Sequence, residues 1–206
     1  MAQMTTWDEI RLATLQKMFL VDGNKVVADG STNSYLNAMP AVYNEAVRLL
    51  STTNRYITKY FEVPTDGLQD VITVDLNSVV DDLFQLKPNG IFFSDAEGRV
   101  LAYGEEEYHG NDYLLLNGRN CGVYRVYYRA YPLKATAETE GETDMQIDPD
   151  VASLVPLYMA SQLYKDDDNA IATVYRNEFE VGRELLKRER NNGGTGRFRS
   201  TTGWWK

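Results

Sequence analysis

The chain has 206 residues, and 43% of them are hydrophobic, which is enough to fill a core and excludes a wholly disordered protein. Its 30 acidic residues outnumber 21 basic ones, and this balance disfavours a protein whose main task is to coat nucleic acid. The single Cys121 excludes an internal disulfide, and the single His109 excludes a histidine-rich metal site and leaves only one position for Ser-His-Asp or Cys-His catalysis.

The sequence also lacks several localisation and chemistry signals. It has no run of about 18 apolar residues, and its first residues lack a basic stretch followed by an apolar one. It has no Gly-rich phosphate loop, nucleophile elbow or cysteine-pair zinc spacing. We therefore expect a non-membrane protein made in a reducing cytoplasm, with no metal and no cofactor.

The first predicted helix spans about 5–20. Thr5 or Thr6 can cap it, and acidic residues follow in the first turn, where the helix dipole favours negative charge. Its predicted apolar stripe is Leu12, Leu15 and Phe19. Residues 21–34 are small and polar, which predicts a loop.

A second helix is predicted over about 39–54. Apolar residues recur there at helical spacing, and Pro40 suits the first turn of a helix. The residues of this stripe are Met39, Val42, Tyr43, Ala46 and Leu50.

From residue 56 to about 133 the apolar period changes to two, which predicts six or seven antiparallel strands in a small sandwich or barrel. Asp95–Gly98 is typical of a hairpin turn between two strands. Asn117-Gly118 predicts another hairpin, which would join strands at 113–116 and 123–131.

The last third is predicted to be helical after an acidic, solvated linker over 138–147. Asp148 caps a third helix that is apolar almost all round and is therefore buried between neighbours. Asp166-Asp167-Asp168 ends this helix and caps a fourth that runs to about Arg188. The predicted inward face of the fourth helix is Ile171, Val174, Tyr175, Phe179, Leu185 and Leu186.

Together these elements predict an α+β fold. The two helix pairs, at 1–55 and 145–190, would form one discontinuous four-helix bundle. The antiparallel β sandwich or barrel over 56–137 would be inserted between them, and the tail over 191–206 would extend from the end.

Two acidic clusters are candidate sites. Glu105–His109, followed by Asp112, is where carboxylates meet the histidine, but flanking glycines favour a solvated hairpin loop over catalysis. Asp166–Asp168 lacks the glycine and the distant glutamate of a calcium loop, so a helix cap is the better interpretation.

The strand Val123–Tyr131 carries a candidate contact surface. Alternation places four polar and aromatic side chains on one face: Arg125, Tyr127, Arg129 and Tyr131. Stacked Tyr and Arg can grip single-stranded nucleic acid, but the same residues are enriched in protein interfaces, and an acidic body repels phosphate. Subunit or tail contact, cross-strand packing and nucleic-acid binding all stay open for this face.

Segments of the predicted helices resemble those of a known protein family. Leu157–Asp168, with Ala172, Tyr175 and Asn177–Glu180, is similar to the C-terminal helical pair of head–tail connector (adaptor or head-completion) proteins of tailed bacteriophages. Trp7–Arg11 and Met39–Ala46 are similar to the N-terminal half of those proteins, so the resemblance covers about half of the chain.

The resemblance implies a structural virion protein without enzyme activity. It would form a ring of twelve subunits in the neck, between head and tail, and contact tail or neck proteins. The basic tail segment would bind the portal protein through Arg197, Phe198, Arg199, Trp204, Trp205 and Lys206. The alternative for this segment is a frayed end whose tryptophans fold back onto the parent domain. The ring would extend the channel through which packaged DNA passes. Like charge along an acidic wall would let DNA slide without tight contacts. A nucleic-acid-binding module that uses the Arg/Tyr strand and the basic tail is the alternative.

Overall fold

The structure is a computed structural model. It describes the backbone of residues 5–18, 30, 32–53, 55–102, 107–109 and 112–192, and the side chains of these residues except 101–102, 107–109 and 187–192. The described residues form five helices and seven strands, so the predicted α+β class with antiparallel sheets is confirmed. None of the helices in these ranges is both long and apolar enough to cross a bilayer.

Helix α1, Trp7–Lys17, begins with a capping box in which the Thr6 side chain and Glu9 bond reciprocally. The next two backbone N–H groups donate outside the helix, from Trp7 to the Thr143 carbonyl at 3.0 Å and from Asp8 to the Gly141 carbonyl at 2.9 Å. The first turn, whose N–H groups have no partner within the helix, is thus satisfied by the segment expected to be a solvated linker.

That segment is also less solvated than predicted. Met145 is fully buried and Ile147 is 6% exposed, and both belong to the core of the helices. The two apolar side chains pull an otherwise acidic stretch onto the helical unit, which corrects the expectation of a solvated linker over 138–147.

The predicted stripe of α1 is wrong in part. Leu15 is buried, but Leu12 is only half-buried, and Phe19 lies outside the described residues. The core-facing side chains are instead Trp7, Ile10, Thr14 and Leu15. These four residues recur at helical spacing, starting with the first residue after the N-cap. The backbone of 141–145 docks on the first turn of α1, and this side of the helix faces the core.

Helix α2, Asn33–Thr53, begins six residues earlier than predicted, so Pro40 lies inside it and residues 33–34 are not a loop. Its first turns are held by tertiary contacts, since Leu36 packs on the core and the Tyr35 hydroxyl donates to the Asp167 carboxylate. These contacts offset the backbone hydrogen bond that Pro40 removes. The rest of the expected loop, 21–29 and 31, lies outside the described residues.

Helices α4, Pro149–Leu163, and α5, Asn169–Asn192, meet at the acidic corner as predicted. Asp148 caps α4 with Pro149 in the first turn. Asp168 caps α5 by accepting from the N–H groups of Ala170 and Ile171 at 3.0 and 3.1 Å.

Helix α4 lies at the centre of the helical unit, and α1, α2 and α5 each pack against it. This explains why α4 is apolar almost all round, as predicted. Two aromatic pairs span the shared core, Trp7 with Tyr43 and Tyr158 with Phe179, and the ring centroids are 5.0 Å apart in each pair.

Strands β1 (Ile57–Asp66), β7 (Cys121–Ala130), β3 (Leu83–Asp95) and β4 (Val100–Ala102) form a four-stranded antiparallel sheet in that order. Strands β2 (Val71–Asp75), β6 (Tyr113–Asn117) and β5 (Glu107–His109) form a three-stranded sheet. Both sheets contribute to a second core, which also holds Leu76 of the short helix α3, Leu76–Val79.

The turn at Asp95–Gly98 joins β3 to β4 as predicted, but the hairpin predicted at Asn117-Gly118 is wrong. Strand β6 pairs with β2 and β5, whereas β7 pairs with β1 and β3. The turn therefore carries the chain from one sheet to the other. Gly122, the second residue of β7, allows close approach of β3, because a Cβ there would lie 2.2 Å from the Ser94 backbone oxygen.

One buried tyrosine in each core allows a paired prediction of how loss of its hydroxyl changes stability. Burial raises the pKa of Tyr43, whose hydroxyl has no hydrogen-bond partner among the described residues, whereas the Tyr128 hydroxyl donates to Asp82 at 2.9 Å. Tyr43→Phe is expected to stabilise the protein by about 1 kcal/mol, and Tyr128→Phe to destabilise it by about 1 kcal/mol. Urea unfolding of both variants would measure this, and a loss of stability in Tyr43→Phe would contradict it.

Candidate interaction surface

The predicted contact residues of β7 lie on the outer side of the four-stranded sheet, together with side chains from β1 and β3. We call this surface the aromatic face; its members are Tyr56, Tyr60, Glu62, Phe84, Gln85, Lys87, Phe92, Arg125, Tyr127, Arg129 and Tyr131. Alternation along β7 produces it, because the intervening Tyr124, Val126 and Tyr128 are buried in the core between the sheets.

Arg125 is held by the neighbouring strand β1. It donates from Nε and Nη2 to Oε1 of Glu62, at 3.0 and 2.6 Å, and its guanidinium lies 4.8 Å from the Tyr60 ring centroid. The hydrogen bond to Glu62 raises the pKa of Arg125. This arginine is therefore a fixed, charged member of the face with a carboxylate already beside it.

Arg129 is held at the other end of β7. Its guanidinium lies 3.8 Å from the Tyr56 ring centroid, and its Nη1 donates to Gln85 Oε1 at 2.8 Å. Phe84 lies between two tyrosines, with its ring centroid 6.3 Å from that of Tyr56 and 5.2 Å from that of Tyr131. The predicted Arg129 and Tyr131 thus belong to one stacked group.

Tyr127 lies between the two arginines and connects the three strands. Its ring centroid is 5.6 Å from that of Tyr60 and 5.7 Å from that of Phe92. Residues 87–90 bulge from β3, and the Lys87 ammonium reaches to 5.7 Å from the Tyr127 centroid. The four predicted residues are therefore brought together, and each has a partner on an adjacent strand or segment.

The aromatic face is accessible despite these contacts. Tyr60 is 53% exposed and Tyr131 is 37% exposed, and an open groove of about 490 Å³ runs over Glu62, Phe92 and Tyr127. Exposed aromatic rings beside arginine are the side chains that contribute most at protein interfaces. The geometry supports docking of another surface and offers no convergent acid–base pair.

A larger cleft of about 1200 Å³ separates α2 from the end of the β unit. In its wall Lys59 bonds to Asp82 at 2.6 Å, and Asp82 also accepts a hydrogen bond from the buried Tyr128 hydroxyl at 2.9 Å. Tyr158 lines the same cleft, and burial, with a smaller contribution from Glu45, raises its pKa to about 12. The titratable groups named here are thus engaged in structural contacts, Lys59, Tyr128 and Asp82 within the β unit and Tyr158 within the helical unit.

The prediction for one acidic cluster is wrong in part, and the prediction for the other is confirmed. Within the described ranges, no group of three or more His, Cys, Asp or Glu residues is placed to hold a metal ion. Glu107–His109 form strand β5 rather than the expected loop, because they pair with β6; Glu105 and Glu106 lie outside the described residues. Asp168 is a helix cap, as predicted.

The residues predicted to bind a partner through the tail lie outside the described residues. They are Arg197, Phe198, Arg199, Trp204, Trp205 and Lys206.

Sequence reasoning missed the partners that β1 and β3 contribute to the aromatic face. Alternation in β1 already indicated that Tyr60 and Glu62 share a side, but it did not show that this side joins the outer side of β7. The bulge that brings Lys87 over Tyr127 has no comparable signal in the sequence.

Comparison of the chain with protein-family models and with curated proteins finds no match in either set.

Proposed function

We propose that this protein is a structural virion protein, a ring-forming adaptor that joins a bacteriophage portal to the tail and extends the DNA channel. The observation that carries the proposal is the aromatic face, an exposed set of rings and cations whose members are already fixed by contacts within the chain. A rigid surface of this kind loses little side-chain entropy on docking, which suits a permanent assembly contact.

In this proposal the four long helices act as a bundle that anchors an inserted β sandwich. The bundle would hold the subunit in the neck, and the sandwich would present Arg125, Tyr127, Arg129 and Tyr131 to neighbouring subunits or tail proteins. The basic tail at 191–206 would reach the portal. Twelve such subunits would form the ring, assembled in the host cytoplasm into the virion.

The nucleic-acid alternative receives less support from the geometry. Arg125 is bonded to a carboxylate and Arg129 to an amide oxygen, so phosphate would compete with partners already in place. DNA binding that appears at low salt and falls steeply with added salt would favour this alternative. The adaptor proposal predicts no such binding.

The ring is tested by native mass spectrometry and electron microscopy of the protein mixed with portal. We expect a closed oligomer of about twelve subunits on the portal, as the resemblance to head–tail connectors implies. A protein that stays monomeric in the presence of portal would contradict the proposal.

Deletion of residues 193–206 is expected to weaken portal attachment strongly while leaving the fold unchanged. Loss of buried Trp anchors typically reduces affinity by about 30-fold or more. Pull-down by immobilised portal would measure attachment, and circular dichroism would check the fold. Trp204→Ala with Trp205→Ala should reproduce the loss, whereas the matched Thr201→Ala with Thr202→Ala should not; equal attachment of all variants would remove the tail from the mechanism.

A further inference from the structure

Helix α5 carries an apolar stripe on its solvent side. Val174 is 55% exposed, Val181 is 63% exposed and Leu185 is 53% exposed, although Val174 and Leu185 were predicted to face inward. The helix instead buries Ala172, Phe179 and Leu186 against the core. The spacing of apolar residues in the sequence does not distinguish the buried face of α5 from this exposed stripe. The tertiary structure shows that they are two different faces of the helix.

Over the described side chains of α5, 169–186, the exposed charges beside this stripe are negative, and Lys187, Arg188 and Arg190 follow later in the same helix. The exposed residues of α5 between 169 and 186 include Glu178 and Glu184, while Arg176 and Arg183 lie half-buried and bond to Glu180. Among these described side chains the exposed ones carry two carboxylates and no cation. The stripe therefore presents Val and Leu side chains with acidic residues beside them.

The aromatic face has the complementary chemistry. It exposes rings along three strands, and its charged members are Arg125, Arg129, Lys87 and Glu62, which are three cations and one carboxylate. A helix with an apolar stripe packing on the face of a sheet is one of the standard ways to complete a layer. The exposed carboxylates Glu178 and Glu184 beside the stripe match this cationic sheet, and a second cationic sheet does not.

We propose that the α5 stripe of one subunit docks on the aromatic face of the next copy of this chain. The contact is not made within one chain, because Val181 and Tyr60 are both more than half exposed in the same molecule. Since the two surfaces differ, the contact is heterologous and repeats from copy to copy, which closes a ring when the rotation permits. The inference rests on the proposed function and names the surfaces that would build its ring.

Cysteine cross-linking tests the contact in the full-length chain. In a Cys121→Ser background, chains with Val181→Cys are mixed with chains carrying Tyr60→Cys and oxidised. We expect a covalent dimer in the mixture and none in either protein alone. Leu68→Cys replaces Tyr60→Cys in the matched control, because Leu68 is 85% exposed on the β1–β2 loop and lies outside both surfaces.

Assembly of substituted proteins gives an independent measurement. Val181→Asp is expected to weaken self-association by about 10- to 100-fold, because it replaces the central apolar contact of the stripe with a carboxylate that would have to lose its water in the interface. Leu68→Asp makes a comparable change elsewhere and should leave association unchanged. Glu178→Arg and Arg129→Glu should each weaken association, and the double variant should recover part of it.

The outcomes separate this inference from the proposed function. Rings that form normally with Val181→Asp, together with no Val181–Tyr60 cross-link, would overturn the inference and leave the adaptor intact. A cross-link from Val181→Cys to Trp204→Cys within one chain would assign the stripe to the tail and would also overturn it. Failure of the unmodified protein to form rings on portal would overturn the proposed function itself.

Discussion

Replacing Trp7 by alanine is expected to lower the free energy of unfolding of the helical unit by about 3–5 kcal/mol, the usual loss when a buried aromatic ring is truncated. Trp7 is 2% exposed, its ring meets Tyr43 edge-on at 5.0 Å, and Arg11 covers it from 5.6 Å. The void would open where α1 meets the core shared with α2 and α4. This loss is a large share of the stability of an ordinary domain.

Urea unfolding followed by far-ultraviolet circular dichroism measures this change. Leu68→Ala is the matched control, because Leu68 is 85% exposed, and it should change stability by less than about 0.5 kcal/mol. A Trp7→Ala protein as stable as the parent would show that α1 is not part of the core that carries the fold.

Replacing Tyr124 by alanine is expected to have a comparable effect in the β unit, about 3–5 kcal/mol. Tyr124 is fully buried, with its ring centroid 4.8 Å from that of Phe93, so truncation opens a void between the two sheets. Its hydroxyl donates to the Asn117 carbonyl at 2.7 Å and accepts from Asn120 at 2.9 Å. The same side chain therefore fixes the turn that carries the chain from β6 to β7.

Tyr124→Phe separates the ring from the hydroxyl and should lose only about 1 kcal/mol. Hydrogen exchange in Tyr124→Ala should accelerate first in the β strands, whereas in Trp7→Ala it should accelerate first in the helices. Identical exchange in both variants would mean that the two cores unfold as one unit, contrary to a division into a helical domain and an inserted β domain.

The caps of the helices were predictable from the sequence because they depend on short-range chemistry. Thr6, Asp148 and Asp168 each accept backbone N–H groups within three residues, so residue type and position suffice. The change of period at residue 56 likewise identified the β unit, since alternation of side chains is a local property of a strand.

The start of α2 and the partner of β6 were not predictable in this way. Tyr35 reaches Asp167 across 132 residues of sequence, and β6 lies beside β2 rather than β7. A short turn permits both a hairpin and a crossing between sheets, and burial of Leu114 and Leu116 in the shared core decides between them. Nothing in the local sequence encodes that choice.

The candidate surfaces also combine features that are predictable from the local sequence with features that depend on tertiary contacts. Alternation along the chain was enough to predict that Arg125, Tyr127, Arg129 and Tyr131 share one side of a strand, because successive side chains of a strand point to opposite faces. The packing of distant segments was needed to show that β1 and β3 complete the aromatic face and that Val181 on α5 is exposed. Which apolar residues are covered depends on the elements packed over them, and those contacts join residues that are distant along the chain.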